Sequence, residues 1–197
     1  VKQLTTGVGG LLKSNDVTVV YGEAQMATET TILCDGKTYE AASTILCGGS
    51  KASVIPIPGV ESKNVLLSTE MLQLDVLPKS LIVIGGGVIG CEMAVAFNSF
   101  GSKVTIIEAL DRIAATMDGE VSDAMLKSLK KSGIDIHVSQ KVERIEDLSD
   151  GQVAVHFGDG KSVTGDKVLL SIGRVCELEC LGSLKDSIRT ERGKVVV

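Results

Sequence analysis

Aromatic side chains make up 3% of the 197 residues, and no basic stripe runs through the chain. Base stacking needs the first and phosphate tracking the second, so nucleic acid is excluded as a partner. The net charge of −5, with both signs interspersed, agrees. No apolar run nears the roughly 20 residues that cross a bilayer, so no membrane span is expected, and no charged-then-apolar leader opens at Val1. The five cysteines (Cys34, Cys47, Cys91, Cys176, Cys180) include no CxxC and no zinc-type pairing of pairs. Several lie in or beside apolar runs, where free thiols behave as small hydrophobes, which points to a reducing compartment and to no metal.

What is present is a 44% hydrophobic chain, enough for a sizeable core and one or two domains. Twenty-two glycines and only three prolines punctuate alternating strand and helix patterns, the rhythm of an α/β fold. "VTVVY" (17–21), "TILC" (31–34) and "STILC" (43–47) read as strands, with Asp35-Gly36 as a hairpin turn. "SLIVI" (80–84), apolar without alternation, reads as a buried parallel strand. A helical pattern follows over 88–100 with Gly101 at its left-handed end, then the strand "KVTIIE" (103–108). Asp118 is placed to cap a helix whose apolar face holds Val121, Met125, Leu126 and Leu129, and "IDIHV" (134–138) is the next strand. A meander with turns at Asp150-Gly151 and Asp159-Gly160 leads to a last strand over 167–172.

The chain also resembles itself. "LLKSNDVTVV" from Leu11 aligns with "LKKSGIDIHV" 118 positions later, and "DGKTYEAASTILCGG" from Asp35 with "DGKSVTGDKVLLSIG" 124 positions later. The second copy begins with a strand, glycines and a helix at Ser80, whereas the first begins inside a helix. The expectation is therefore two nucleotide-binding units in series within a longer protein, the second complete and the first lacking its head.

Gly85, Gly87 and Gly90 form GxGxxG between a strand and a helix. Gly85 lets the chain turn off the strand, Gly87 leaves room for a pyrophosphate, and Gly90 lets the helix pack on the sheet. The N–H groups at the helix start, near Val88 and Ile89, then face the phosphates along the helix dipole. Glu108 closes the following strand 18 residues beyond Gly90, where a carboxylate accepts from a ribose diol and repels a 2′-phosphate. NAD is expected over NADP, with Arg112 as the neighbour able to oppose that preference. Glu92 in the first helical turn and Gly173 at the end of the last strand complete the candidates. "GVGG" (7–10) lacks the third glycine, Cys176 and Cys180 have the wrong spacing for a redox pair of the thioredoxin type, and His137 and His156 stand singly on strands without a matching acid.

With these motifs on the page, the chain resembles the pyridine nucleotide-disulfide oxidoreductases over nearly its whole length. "PKSLIVIGGGVIGCEMAVAFNSFGSKVTIIEALDRI" is similar to the family's NAD-binding stretch, "STILCGGS" to the strand ending in Ala-Thr-Gly near FAD, and "DKVLLSIGR" to the strand ending in Gly-Arg. Cys47-Gly48-Gly49 stands in place of Ala-Thr-Gly, and "VCELECLG" differs from the family's usual loop. The resemblance implies a Rossmann-like doubly wound parallel sheet with an antiparallel β-meander crossover, plus the C-terminal part of an FAD-type domain. The implied division is 1–66 for the FAD-domain part, 67–183 for the NAD-binding domain, and 184–197 for a segment returning towards the flavin. It implies that NAD is held by Ile84, Gly85, Gly86, Gly87, Val88, Ile89, Gly90, Cys91 and Glu92, together with Glu108, Val142 and Gly173, with Glu92 towards the nicotinamide. FAD would be touched by Gly22, Gly48, Gly49 and Ser50.

The activity implied is hydride exchange between NAD and FAD, with electrons from a dihydrolipoyl group through a cysteine pair and a histidine that these residues do not supply. The chain alone is therefore expected to bind nucleotide without turnover. The whole protein is expected to be a homodimer and a component of 2-oxo acid dehydrogenase complexes, in the mitochondrial matrix of a eukaryote or the cytoplasm of a bacterium. Another two-nucleotide flavoprotein, such as an NADH oxidase or peroxidase, and a non-catalytic nucleotide-binding module are the alternatives.

Overall fold

The computed structural model describes residues 2–191 and 194–196, so the expected return segment 184–197 includes three positions outside the described residues. The chain divides into two compact units, Val1–Gly49 with Cys176–Val197, and Ser50–Val175. Among the described residues no helix is long and apolar enough to cross a membrane.

The first unit opens with helix α1 (Lys2–Ser14), none of whose residues is buried. Leu4, Val8 and Leu11, spaced along one face, are 76%, 57% and 66% exposed. Strands β1 (Ala24–Met26), β2 (Thr31–Cys34) and β3 (Lys37–Glu40) form an antiparallel sheet. The expected turn joins β2 and β3, with Asp35 and Gly36 both at positive φ (47° and 77°), the pairing that matches strand twist. Met26 packs in the same unit beside a 3₁₀ segment, Glu179–Leu184, whose Leu181 is 2% exposed.

Two sequence expectations fail in this unit. Residues 17–21 and 43–47 enter no strand among the described residues. Both runs are apolar enough to be buried strands, yet Val17 is 48% and Ile45 88% exposed. A strand exists only through its ladder, and neither run has a neighbouring strand to pair with here. The internal repeat is thus realised in its helix end and hairpin but not in its two apolar strands.

The second unit begins with β4 (Ser50–Ala52), β5 (Val65–Leu66) and the short helix α2 (Ser68–Met71). It continues through β6 (Ser80–Ile84), α3 (Val88–Ser99), β7 (Lys103–Ile107), α4 (Gly119–Lys131) and β8 (Asp135–His137). The meander β9 (Val142–Asp147), β10 (Val153–Phe157) and β11 (Lys161–Gly165) follows, then β12 (Lys167–Leu170) and β13 (Arg174–Cys176). Five strands make one parallel sheet in the order β5-β12-β6-β7-β8.

The unbroken apolar run of β6 is explained by burial on both faces. Leu81 and Val83 pack with Cys91, Ala94, Phe97 and Leu129 from α3 and α4, while Ile82 and Ile84 pack with Val153, Val155 and Phe157 from the meander. The meander therefore covers the face that a crossover helix would otherwise take. Asp118 caps α4 as expected, accepting from the Glu120 N–H at 2.9 Å. The apolar face of α4 differs in one residue: Leu129 is buried, but Val121 is 52% exposed, and the buried residue of the first turn is Ser122, whose hydroxyl donates to Ile113 O at 2.6 Å.

Candidate functional site

Between β6 and β12 the order of the sheet reverses. From β6 the chain passes through α3 to β7 on one side, and it returns after the meander to β12 on the other. Ligands of open α/β sheets lie at the carboxyl ends of the strands at such a point. Here those ends open on a cavity of about 1140 Å³.

The floor of the cavity is the glycine elbow. Gly85 turns off β6 at φ +104°, and a Cβ there would stand 2.5 Å from Ser171 O. A Cβ on Gly90 would stand 2.0 Å from Gly85 O, so helix and strand can approach only because that position is bare. Gly87 differs from both: it has extended backbone (φ −70°, ψ −177°) as the residue preceding α3, and a Cβ on it would meet no protein atom within 4 Å. The protein's own packing does not call for glycine there; the open space beside α3 does.

The first helical bond runs from the Cys91 N–H to Gly87 O at 2.9 Å, so the N–H groups of Val88, Ile89 and Gly90 precede the intrahelical ladder. Those amides and the positive end of the dipole suit an anion without a lysine. A diphosphate fits the cradle at Gly87.

At the end of β7, Glu108 is 8% exposed, and both its oxygens are engaged by backbone. Oε2 accepts from the Gly86 N–H at 2.5 Å and Oε1 from the Leu110 N–H at 2.7 Å. Each carboxylate oxygen accepts two bonds, so one lone pair on each is left for a sugar diol, and Glu108 is one of the residues lining the cavity. Cys91 lies behind the elbow, fully buried, its thiol donating to Gly86 O at 3.3 Å. Burial, then the charges of Glu108 and Glu92, push that thiol up to about 11.

Of the residues expected at NAD, the cavity is lined by Ile84, Gly85, Gly87, Val88, Ile89, Glu108, Val142 and Gly173. Gly86, Gly90 and Cys91 are buried beneath it, and Glu92 is exposed without lining it. Arg112 does not line it either; its guanidinium reaches Ala115 O at 3.4 Å. Sequence reading passed over the wall formed by Ile55, Pro56, Ile57 and Pro58, and the Gln140–Lys141 corner after β8. The corner had a signal, since loops at the carboxyl ends of parallel strands all face the switch point; the wall, outside the glycine motif, had none.

Of the four residues expected at FAD, Gly22, Gly48 and Gly49 belong to the first unit and Ser50 to the second. Gly22 lies against the hairpin turn, where a Cβ would meet Asp35 Oδ2 at 2.2 Å, and Gly48 against Cys180, where it would meet Sγ at 2.5 Å. Gly48 lines a small pocket of about 250 Å³ with Glu23 and Glu177, and Ser50 accepts from Arg174 Nε at 2.8 Å. The histidines also depart from expectation, for each has an acid: His137 Nε2 lies 2.9 Å from Asp135, and His156 Nε2 3.2 Å from Glu146. Neither histidine lines the cavity. Among the described residues no group of three or more His, Cys, Asp or Glu is placed to hold a metal ion.

A five-stranded parallel sheet, a glycine elbow, a helix starting from it and an acid at the end of the next strand define a Rossmann-like α/β protein. The chain belongs to the pyridine nucleotide-disulphide oxidoreductase family, whose model matches residues 1–197. It is 42% identical over 179 residues to dihydrolipoyl dehydrogenase of Acholeplasma laidlawii, covering 88% of this chain and 52% of that protein. It is 36% identical over 209 residues to the mitochondrial dihydrolipoyl dehydrogenase of Dictyostelium discoideum, covering 100% of this chain and 43% of that one. Among solved structures it is similar to the HOCl-induced flavoprotein disulfide reductase RclA from Escherichia coli, with TM-score 0.81 and 30% identity over 99% of this chain and 47% of that chain. The chain thus spans about half the length of the curated relatives it matches.

Proposed function

We propose that the cavity at the β6–β12 switch point holds NAD(H), and that the whole protein is a dihydrolipoyl dehydrogenase exchanging a hydride between NAD and FAD with electrons from dihydrolipoamide. The observation that carries the first part is Gly87, bare where the protein leaves open space, beside helix amides that precede the hydrogen-bond ladder. The names of the similar enzymes support the second part.

When bound, the nicotinamide supplies a two-electron carrier; this chain supplies the holding. The amides at the start of α3 bind the diphosphate, and Glu108 accepts from the adenosine ribose and excludes a 2′-phosphate. Val142 from the meander and Gly173 from the loop after β12 border the rest of the cavity. FAD is assigned to Gly22, Gly48, Gly49 and Ser50 from the resemblance alone. The whole protein is read as a homodimer within a 2-oxo acid dehydrogenase complex. The 197 residues by themselves lack the cysteine pair that would pass electrons on, so they bind without turnover.

Calorimetric titration tests the reading. NADH is expected to bind at least about fivefold more tightly than NADPH, the factor for about 1 kcal/mol of repulsion at Glu108 under water-like screening. G87A is expected to fold and melt like the parent yet lose NADH binding, because its methyl enters only the space meant for phosphate. Equal binding of the two nucleotides, no binding, or full binding by G87A would each overturn the assignment.

A further inference from the structure

The elbow's backbone is held by groups from other elements. The Gly85 N–H donates to Ile107 O at 2.9 Å, and Gly86 O accepts from the Ala114 N–H at 2.7 Å as well as from Cys91. Gly86 N–H is taken by Glu108. The two remaining carbonyls converge on one residue at the end of β12, Ser171. Its N–H donates to Ile84 O at 2.8 Å, and its hydroxyl proton is shared between Ile84 O at 3.2 Å and Gly85 O at 3.0 Å.

That contact is a consequence of Gly90. The place where its Cβ would sit is 2.0 Å from Gly85 O and 2.7 Å from Ser171 Oγ, so the bare position admits the carbonyl and the hydroxyl together. Gly85 has the conformational freedom of glycine at φ +104°, and its carbonyl sets the plane of the next peptide. A donor on that carbonyl therefore fixes the direction in which the following amides point.

We propose that Ser171 is a positioning residue for nucleotide binding: its hydroxyl, reaching across from β12, locks the elbow so that the amides at the start of α3 are preset for a diphosphate. Ser171 also lines the cavity, so the lock sits at the ligand. The inference rests on the nucleotide reading above and adds to it a residue outside the glycine motif. Its effect falls on the diphosphate, not on the nucleoside, because only the diphosphate uses these amides.

The test titrates the full chain and its S171A variant with NADH and with adenosine. S171A is expected to weaken NADH between about three- and tenfold, the range for one net hydrogen bond, and to leave adenosine within about twofold. Hydrogen exchange at the amides of residues 86–90, measured without ligand, is expected to be faster in S171A. S171C keeps the shape with a weaker donor and is expected to show the same pattern at smaller amplitude; it carries the test if S171A does not fold. Unchanged NADH binding in the variants, or equal loss for NADH and adenosine, would overturn the role of Ser171 while leaving the nucleotide reading intact. Failure of the parent chain to bind NADH would overturn both.

Discussion

Glu108 is committed twice, once to the elbow through Gly86 and once to the following loop through Leu110, and its remaining lone pairs are all it can offer a sugar. E108Q keeps the shape but sets an amide N–H₂ against one of two backbone donors. It is expected to lower stability by about 1–3 kcal/mol and to weaken NADH at the same time, read by urea unfolding and calorimetry. Cys91 makes a contrasting case. Being fully buried, it is expected to resist iodoacetamide in the folded protein while exposed Cys47 reacts, with both modified after unfolding, as peptide mass mapping would report. Its folded pKa, about 11, stands above the ordinary 9.0, so the unfolded chain loses this proton first. This thiol's contribution to stability is complete below about pH 9 and falls between there and about 11, and C91A is expected to flatten that limb of an unfolding series.

At the scale of single elements the caps and carboxylate clamps carry the expectations. D118A removes the acceptor for the Glu120 N–H and is expected to cost α4 about 1 kcal/mol. Asp166 ties the chain before β6 to the meander: Gln152 donates to one of its oxygens, and the N–H groups of Ser80 and Lys79 to the other. These bonds, with that of Gln152 foremost, hold its carboxyl below the usual carboxylate range. The stability they confer is complete above the ordinary aspartate pKa of about 3.9 and is lost as pH falls through the lower folded value; D166N is expected to remove that part of the acid limb.

The parallel core was legible in the sequence because β6 is a run of apolar residues without alternation, and the elbow because its three glycines sit between strand and helix. Residues 17–21 and 43–47 misled for the same reason that β6 succeeded: composition reports the wish for a neighbour, not its presence. Val121 misled because periodicity places a residue on a face without saying where that face stops touching the sheet, and here the first turn of α4 is anchored by Ser122 instead.

Over the whole molecule the two units differ in how well they satisfy themselves. The second has a sheet covered on both faces, with Val83, Val104, Ile106 and Val168 all at 0% exposure. Glu108, Val142 and Gly173 were within reach of sequence, whereas the wall of residues 55–58 was not, because only the topology brings it to the cavity. The first unit keeps its hairpin and its 3₁₀ segment but shows solvent the ridge of α1 and the two apolar runs that form no strand. A purified preparation of these 197 residues is accordingly expected to light up a naphthalene-sulfonate dye and to clump as concentration rises, with Leu4, Val8 and Leu11 as the adhesive. Changing those three to glutamate should quench the dye while calorimetry with NADH stays the same, so stickiness and cofactor affinity would prove separable traits of one polypeptide.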